Sequence, residues 1–304
     1  MSKIIEVRNL RKNYGDLEAV KNLSFYVETG KLFSFLGPNG AGKSTTIDIL
    51  CTLLASDSGE VIIDGKELGR EDDKIRKEIG VVFQDNMLDP LLTVRENLSL
   101  RAGFYMSGKE KIHQAVRNAA GITELVEFLD RPYGKLSGGQ RRRADIARAL
   151  IHTPKILFLD EPTTGLDPQT RKSIWDTILK LKEEERMTIF LTTHYMEEAA
   201  GSDYIIVIDK GEIAAKGSPS ELKEQYAKDL LRLFCSREEE VREILDQLHL
   251  GYVKMADQLE IRIPSTISAL PILEKCRDSI TGFEVVRGTM DDAFIGITGK
   301  ELRE

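Results

Sequence analysis

Cysteine is scarce in this chain of 304 residues. The three present, Cys51, Cys235 and Cys276, are odd in number, far apart and without metal-ligand spacing, so they read as core or surface thiols. That usage suits a reducing cytoplasm. Long apolar runs are missing too: no stretch approaches the roughly 18 residues that suggest a membrane span, and the amino terminus shows no charged-then-apolar signal. If the chain serves a membrane process, the pore is expected to be another polypeptide. Basic charge is not in excess. With 43 Lys and Arg against 50 Asp and Glu, the net charge of −7 argues against nucleic acid as a partner. The only local basic run, Arg141-Arg142-Arg143, is expected as a solvated helix face.

What is present is concentrated in three elements. Gly37-Pro38-Asn39-Gly40-Ala41-Gly42-Lys43-Ser44-Thr45 fits G-x-x-x-x-G-K-[ST], whose backbone N–H groups wrap phosphates. In that motif Lys43 reaches the outer phosphates and the Ser44 hydroxyl belongs on Mg2+. The context agrees: Leu32–Leu36 reads as a buried strand before the loop, and Lys43–Leu54 as a helix after it. Further on, the apolar strand Lys155–Leu159 delivers Asp160 and Glu161 at its carboxyl end, where open parallel sheets bind ligands. Side chains alternate along a strand, so Asp160 can hold the magnesium shell while Glu161 points toward the water that attacks the γ-phosphate. The third element is Leu136-Ser137-Gly138-Gly139-Gln140. Ser137 and Gln140 have the form of a capping box before a helix Arg141–Leu150, which puts both glycines at an anion-binding helix amino terminus.

These elements, in this order, resemble the ATPase subunit of an ABC transporter over about residues 3 to 225. The resemblance implies more. Gln84, after Val81-Val82-Phe83, stands where the family has a magnesium- and water-contacting glutamine. His194, after the strand Thr188–Thr193, stands at the γ-phosphate histidine, and Tyr14 where an aromatic ring stacks on adenine. Asp167, in Gly165-Leu166-Asp167, matches the dimer-contacting loop. Ser137 to Gln140 is then the signature, which in this family reaches the γ-phosphate held by a second subunit, so that two ATP molecules are sandwiched head to tail. The implied cofactors are ATP and Mg2+. The implied partners are separate transmembrane permease subunits and a second copy or homologous ATPase subunit, at the cytoplasmic face of the cell membrane.

The fold class expected is α/β: a P-loop NTPase core with an antiparallel β layer and a helical insertion at about 85–135, plus a small α+β ferredoxin-like domain. Ile4–Val7, Leu23–Val27 and Gly59–Ile63 read as the antiparallel strands, with Asp64-Gly65 a hairpin turn. In the insertion, Thr93–Glu96 and Ser107–Glu110 read as capping boxes and Gly121 as a helix end. The segment Asp85–Leu92 is the candidate for docking on the permease. The ATPase domain is expected over 1–227, and 228–304 alternates as βαββαβ with Ser236–Glu239 capping its first helix. Its end, Thr289–Arg303, resembles the tail of the daunorubicin-resistance and sodium-extrusion branch of type-2 exporters. A transporter motor is therefore set against a soluble ABC-type ATPase acting on nucleic acid or ribosomes. The second lacks the two cassettes, coiled-coil insertion or zinc cysteines it usually needs. A regulatory module without turnover is disfavoured because Glu161, Gln84 and His194 are all present.

Overall fold

The computed structural model describes residues 2–299, and the chain divides into two compact units, Met1–Lys216 and Gly217–Glu304. In the first unit β1 (Lys3–Tyr14), β2 (Leu17–Glu28), β4 (Ser58–Ile63) and β5 (Lys66–Glu67) form an antiparallel sheet in the order β2-β1-β4-β5. The β4–β5 turn has positive φ at Asp64 (47°) and Gly65 (74°), as a two-residue hairpin requires. A six-stranded sheet in the order β10-β9-β3-β8-β7-β6 lies behind it. It contains β3 (Leu32–Leu36), β6 (Ile79–Val82), β7 (Ile156–Asp160), β8 (Thr188–Thr193), β9 (Tyr204–Asp209) and β10 (Glu212–Gly217). From β9 through β6 every neighbouring pair is parallel.

Strands β3, β7 and β8 are buried along their whole length, which is why they read as unbroken apolar runs. Their alternation still sorts the residues. Phe33, Phe35, Phe158 and Phe190 face the core shared with the antiparallel layer and α1 (Lys43–Leu50), their rings 5.0–5.8 Å apart. Leu32, Leu157, Leu159 and Leu191 face the other core. That core is shared with α3 (Val94–Gly103), α4 (Lys109–Ile122), α5 (Gly138–Leu150) and α6 (Pro168–Glu184). The short helices α2 (Asp72–Glu78) and α7 (Met196–Ala200) complete the unit.

Two expected caps form as read, Thr93 with Glu96 and Ser137 with Gln140, and Ser218 with Glu221 makes another of the same kind. Two do not. At α4 the N-cap is Gly108, with φ 100° and no side-chain cap, in place of Ser107. Gly121 does not end α4, because Val116, Ala119 and Ala120 are buried on one face and carry the helix to Ile122. That packing outweighs the roughly 1 kcal/mol cost of a helical glycine.

The second unit holds α8 (Pro219–Tyr226), β11 (Asp229–Cys235), α9 (Glu238–Gln247), β12 (Tyr252–Met255), β13 (Gln258–Ile263), α10 (Leu270–Cys276), β14 (Ile280–Val286) and α11 (Met290–Thr298). Its sheet runs β12-β13-β11-β14, every neighbour antiparallel. Leu231, Leu233, Val241, Leu245, Leu259, Ile261 and Ile263 fill its core. The expected Ser236 cap is absent: α9 is preceded by Arg237, and the N–H groups of Ser236 and Arg237 both donate to Ser279 O. Helix α10 starts at Leu270, after a 3₁₀ turn and with Pro271 in its first turn. Helix α8, expected on the ATPase side of the division, groups with the second unit. It packs on α11, and a Cβ on Gly296 would lie 2.4 Å from Tyr226 O. In the tail, Phe294 is buried on α11, while Lys300–Arg303 lie outside the described residues.

Candidate functional site

Parallel strands bring their carboxyl ends to one edge, so the loops after β3, β6, β7 and β8 open on the same side. The loop after β3 is the glycine loop. Gly42 has φ 101°, and a Cβ there would sit 2.4 Å from Ala19 O on β2, so the position needs glycine. Ala41 N donates to Pro38 O at 3.2 Å, and Ala41 O accepts from Gly211 N at 3.0 Å. Asn39 and Gly40 are exposed at the loop tip. Lys43 opens α1 and is buried; its Nζ donates to Gly37 O at 2.8 Å and Pro38 O at 3.2 Å and lies 3.5 Å from Glu161 Oε1. Burial lowers its pKa, and the Glu161 carboxylate opposes that. Ser44 follows on the exposed face of α1, with Thr45 half-buried beside it.

Asp160 ends β7 and is buried, its Oδ1 accepting from the Thr192 hydroxyl on β8. Burial raises its pKa, with Thr192 opposing. Glu161 is the next residue, at φ 44°, a backbone conformation that a non-glycine residue adopts only when held there. The hold is visible: Glu161 N donates to Thr192 O and Oγ1, both at 3.1 Å. Its carboxylate lies 3.2 Å from His194 Nδ1, at ion-pair distance but off the line of a hydrogen bond. His194 and then Lys43 hold Glu161 below the usual carboxylate range against the opposing effect of burial. Sequence reading thus names three residues, Lys43, Glu161 and His194, that the fold draws together from three strand ends.

Gln84, two residues beyond β6, is exposed; its backbone carbonyl accepts from Arg142 Nη1 at 3.5 Å. Arg142 corrects an expectation. It is 5% exposed, not part of a solvated face, and its other guanidinium donors reach carbonyl oxygens of Phe83, Asp160, Glu161 and Pro162. Asp145 and Arg148, three and six residues on, are buried on the same face of α5. The spacing of these charges, three residues apart along one helix, is the signal in the sequence that they share a buried face.

Ser137 and Gln140 make the reciprocal cap: Ser137 N donates to Gln140 Oε1 at 3.0 Å, and Gln140 N to Ser137 Oγ at 3.3 Å. Helix α5 therefore begins at Gly138, earlier than the expected Arg141, and its first N–H groups lie at the signature itself. Gly139 has a packing reason as well: a Cβ there would meet Thr170 Cγ2 at 2.4 Å. Asp167 caps α6, accepting from Thr170 N at 3.0 Å, and Thr170 is also the neighbour of Gly139, so the Asp167 loop and the signature lie side by side. Tyr14 is exposed at the end of β1, its ring 5.9 Å from Lys12 Nζ, on the hairpin whose second strand supports Gly42 through Ala19.

Fold and site together define a P-loop nucleotide hydrolase. Comparison with known proteins makes the class specific: residues 20–164 match the ABC transporter family. The chain is 35% identical over its whole length, and over the whole of the relative, to a Nod factor export ATP-binding protein of Cupriavidus metallidurans. It is 36% identical to a daunorubicin/doxorubicin resistance ATP-binding protein of Streptomyces peucetius, covering 98% of this chain and 93% of the relative. Among solved structures, a dimeric ATP-binding cassette with ADP and phosphate in a post-hydrolysis state aligns at TM-score 0.64 and 33% identity, over 70% of this chain and 98% of that one. Cassette cbiO1 of Clostridium perfringens aligns at 0.69 and 30%, over 82% and 97%. The chain belongs to the ABC transporter family, as the ATP-binding and ATP-hydrolysing subunit of an exporter. Among the described residues no helix is long and apolar enough to cross a membrane.

Proposed function

We propose that two such chains close head to tail on two ATP molecules, each site made from the glycine loop of one and the Ser137–Gln140 signature of the other. Convergence of Lys43, Glu161 and His194 at one sheet edge carries this reading. Glycine-loop N–H groups from Gly37 to Thr45 and the Lys43 ammonium bind the phosphates, and Tyr14 stacks on adenine. Glu161, kept ionised by its neighbours, takes a proton from water as the oxygen attacks the γ-phosphorus and ADP leaves. His194 contacts the γ-phosphate and Gln84 orients the water. The exposed Ser44 hydroxyl, the Asp160 carboxylate and the Gln84 amide are hard oxygen donors, which suit Mg2+ held by few protein groups plus substrate phosphates. When bound, that ion neutralises charge on the β- and γ-phosphates.

Closing at the signature is how partner contact becomes part of the site. The unpaired N–H groups at the start of α5 suit the partner's γ-phosphate, and Asp167, on the neighbouring loop, faces the dimer. Asp85–Leu92, with Met87 and Leu91 exposed, docks on a separate permease at the cytoplasmic face of the membrane. The second unit, with strand order 4-1-3-2 and two helices in βαββαβ succession, is read as a ferredoxin-like accessory domain. Gel filtration tests the core of this. A Glu161→Gln chain is expected to run as a dimer with MgATP and as a monomer with EDTA; a monomer in both rejects the shared site.

A further inference from the structure

Arg142 sits where the two halves of the proposed ATP cycle meet in one chain. Its helix, α5, begins at the signature cap, and the side chain leaves the helix about one turn later. The guanidinium is buried and, among the described residues, has no carboxylate at hydrogen-bond distance; its partners are backbone carbonyls on two adjacent strand ends. Nη1 reaches Phe83 O and Gln84 O, Nη2 reaches Asp160 O at 3.2 Å and Glu161 O at 3.3 Å, and Nε reaches Pro162 O. Glu161 is therefore gripped from both sides, its N–H by Thr192 and its carbonyl by Arg142, in a conformation it would not hold alone.

The next buried residues on the same face extend the grip. Asp145 accepts from Tyr133 Oη at 2.9 Å and from Met87 N at 3.3 Å, and Arg148 Nη2 donates to Val81 O at 2.6 Å. Backbone from Val81 to Met87 is thus fastened to one helix by three charged side chains. A buried charge of this kind is a poor stabiliser compared with a hydrophobic residue of the same volume, so its stability contribution does not explain it. Its geometry does. A planar fork can hold two strand ends at once, which a lysine ammonium cannot.

We infer that Arg142 is a positioning residue that passes movement of the signature helix to Gln84 and Glu161, so that engagement of one ATP site sets the catalytic groups of the other. This rests on the head-to-tail reading. A shift of α5 displaces the carbonyls of both loops together, and a displacement near 1 Å at a catalytic group is worth up to about 100-fold in rate.

The test uses the full chain with Arg142→Lys, and Asp145→Asn as a second variant should the first fail to fold. Steady-state ATPase curves, binding of a fluorescent ATP analogue and gel filtration in the Glu161→Gln background are measured for each. Arg142→Lys is expected to lower kcat about 10- to 100-fold. Its Hill coefficient is expected to fall from near about two, the number of sites, toward one, with nucleotide affinity and MgATP-driven dimerisation retained. Asp145→Asn is expected to move the same two readouts less. Unchanged kcat and Hill coefficient in a variant that still dimerises overturn the inference alone. A Glu161→Gln parent that stays monomeric overturns the head-to-tail reading and this inference with it.

Discussion

The two units of this chain pack their cores with opposite sheet logic, and the candidate nucleotide site belongs to the one with the parallel sheet. In Met1–Lys216 the parallel strands β3, β6, β7 and β8 end at one edge, and their loops converge there. In Gly217–Glu304 each strand runs against its neighbours, so the carboxyl ends are divided between the two edges, β11 and β12 at one and β13 and β14 at the other. Charge follows the same division. Among the described residues every buried charged side chain, Lys43, Arg142, Asp145, Arg148, Asp160 and Glu198, belongs to the first unit. In the second, ion pairs such as Arg232 with Glu260 and Arg237 with Glu240 lie nearer the surface, where solvent screens them. A protein keeps buried charge where geometry matters more than stability, and here that place is the parallel edge.

The harshest way to break the contrast is at Glu161. Glu161→Gln is expected to keep ATP binding and lose turnover by about 10²–10⁴-fold, the usual worth of a general base. Single-turnover hydrolysis in the trapped dimer measures it, and near-normal turnover would put the base elsewhere. Lys43→Ala acts one step earlier. It removes a charge-assisted contact of about 1.5–3 kcal/mol, so ATP affinity is expected to fall about 10- to 150-fold. Equilibrium titration with a fluorescent nucleotide decides, and an unchanged Kd rejects the role.

The contrast is sharpened by cutting between the units. Removal of everything after Lys216 is expected to leave ATP affinity within about threefold of the full chain, because every residue proposed to face phosphate precedes position 195. Truncation after Ala227 is expected to behave worse: it leaves α8, with Leu222 buried, deprived of α11. Titration of both truncations, with light scattering to follow aggregation, separates them. A chain ending at Lys216 that folds but binds no ATP would show that the second unit helps to build the site.

How much of this is legible in the sequence depends on who satisfies whom. Lys43 and Glu161 are legible because each belongs to a linear pattern that follows a buried strand, and His194 through the family resemblance, which places a histidine after such a strand. Arg142 is not, since its partners are carbonyl oxygens, which every residue has, and a run of three arginines reads the same whether it is solvated or gripped. Caps show a similar limit. Ser-x-x-Glu at 218 forms, whereas Ser107 and Ser236 carry the same pattern but do not cap: Gly108 and Arg237 stand at the N-cap positions. The division after Lys216 was hidden because α8 finds its partner, α11, far along the chain.

The smallest expected effect concerns His152, half-buried in the first unit just after α5. Its ring stacks on Tyr105 with centroids 4.0 Å apart, Nε2 meets Ile79 O at 3.0 Å, and Nδ1 has no hydrogen-bond partner among the described residues. Burial pulls its pKa down to about 4, against the opposing pull of Ile79 O. The sign follows from proton counts. Between pH 6.5 and about 4 the unfolded chain binds a proton at this histidine that the folded chain does not, so its stabilising contribution is complete above the upper value and lost as pH falls. At pH 5 the loss is about 1–2 kcal/mol relative to pH 7.5. Asp145 and Glu198, whose pKa values burial raises, contribute with the opposite sign, so the wild-type difference alone does not isolate His152. His152→Phe keeps the stack and removes the titration. Urea midpoints at pH 7.5 and 5.0 are expected to differ less, or in the opposite direction, in the variant. An identical pH response in both proteins would mean that His152 is as free to protonate in the folded unit as in the unfolded chain.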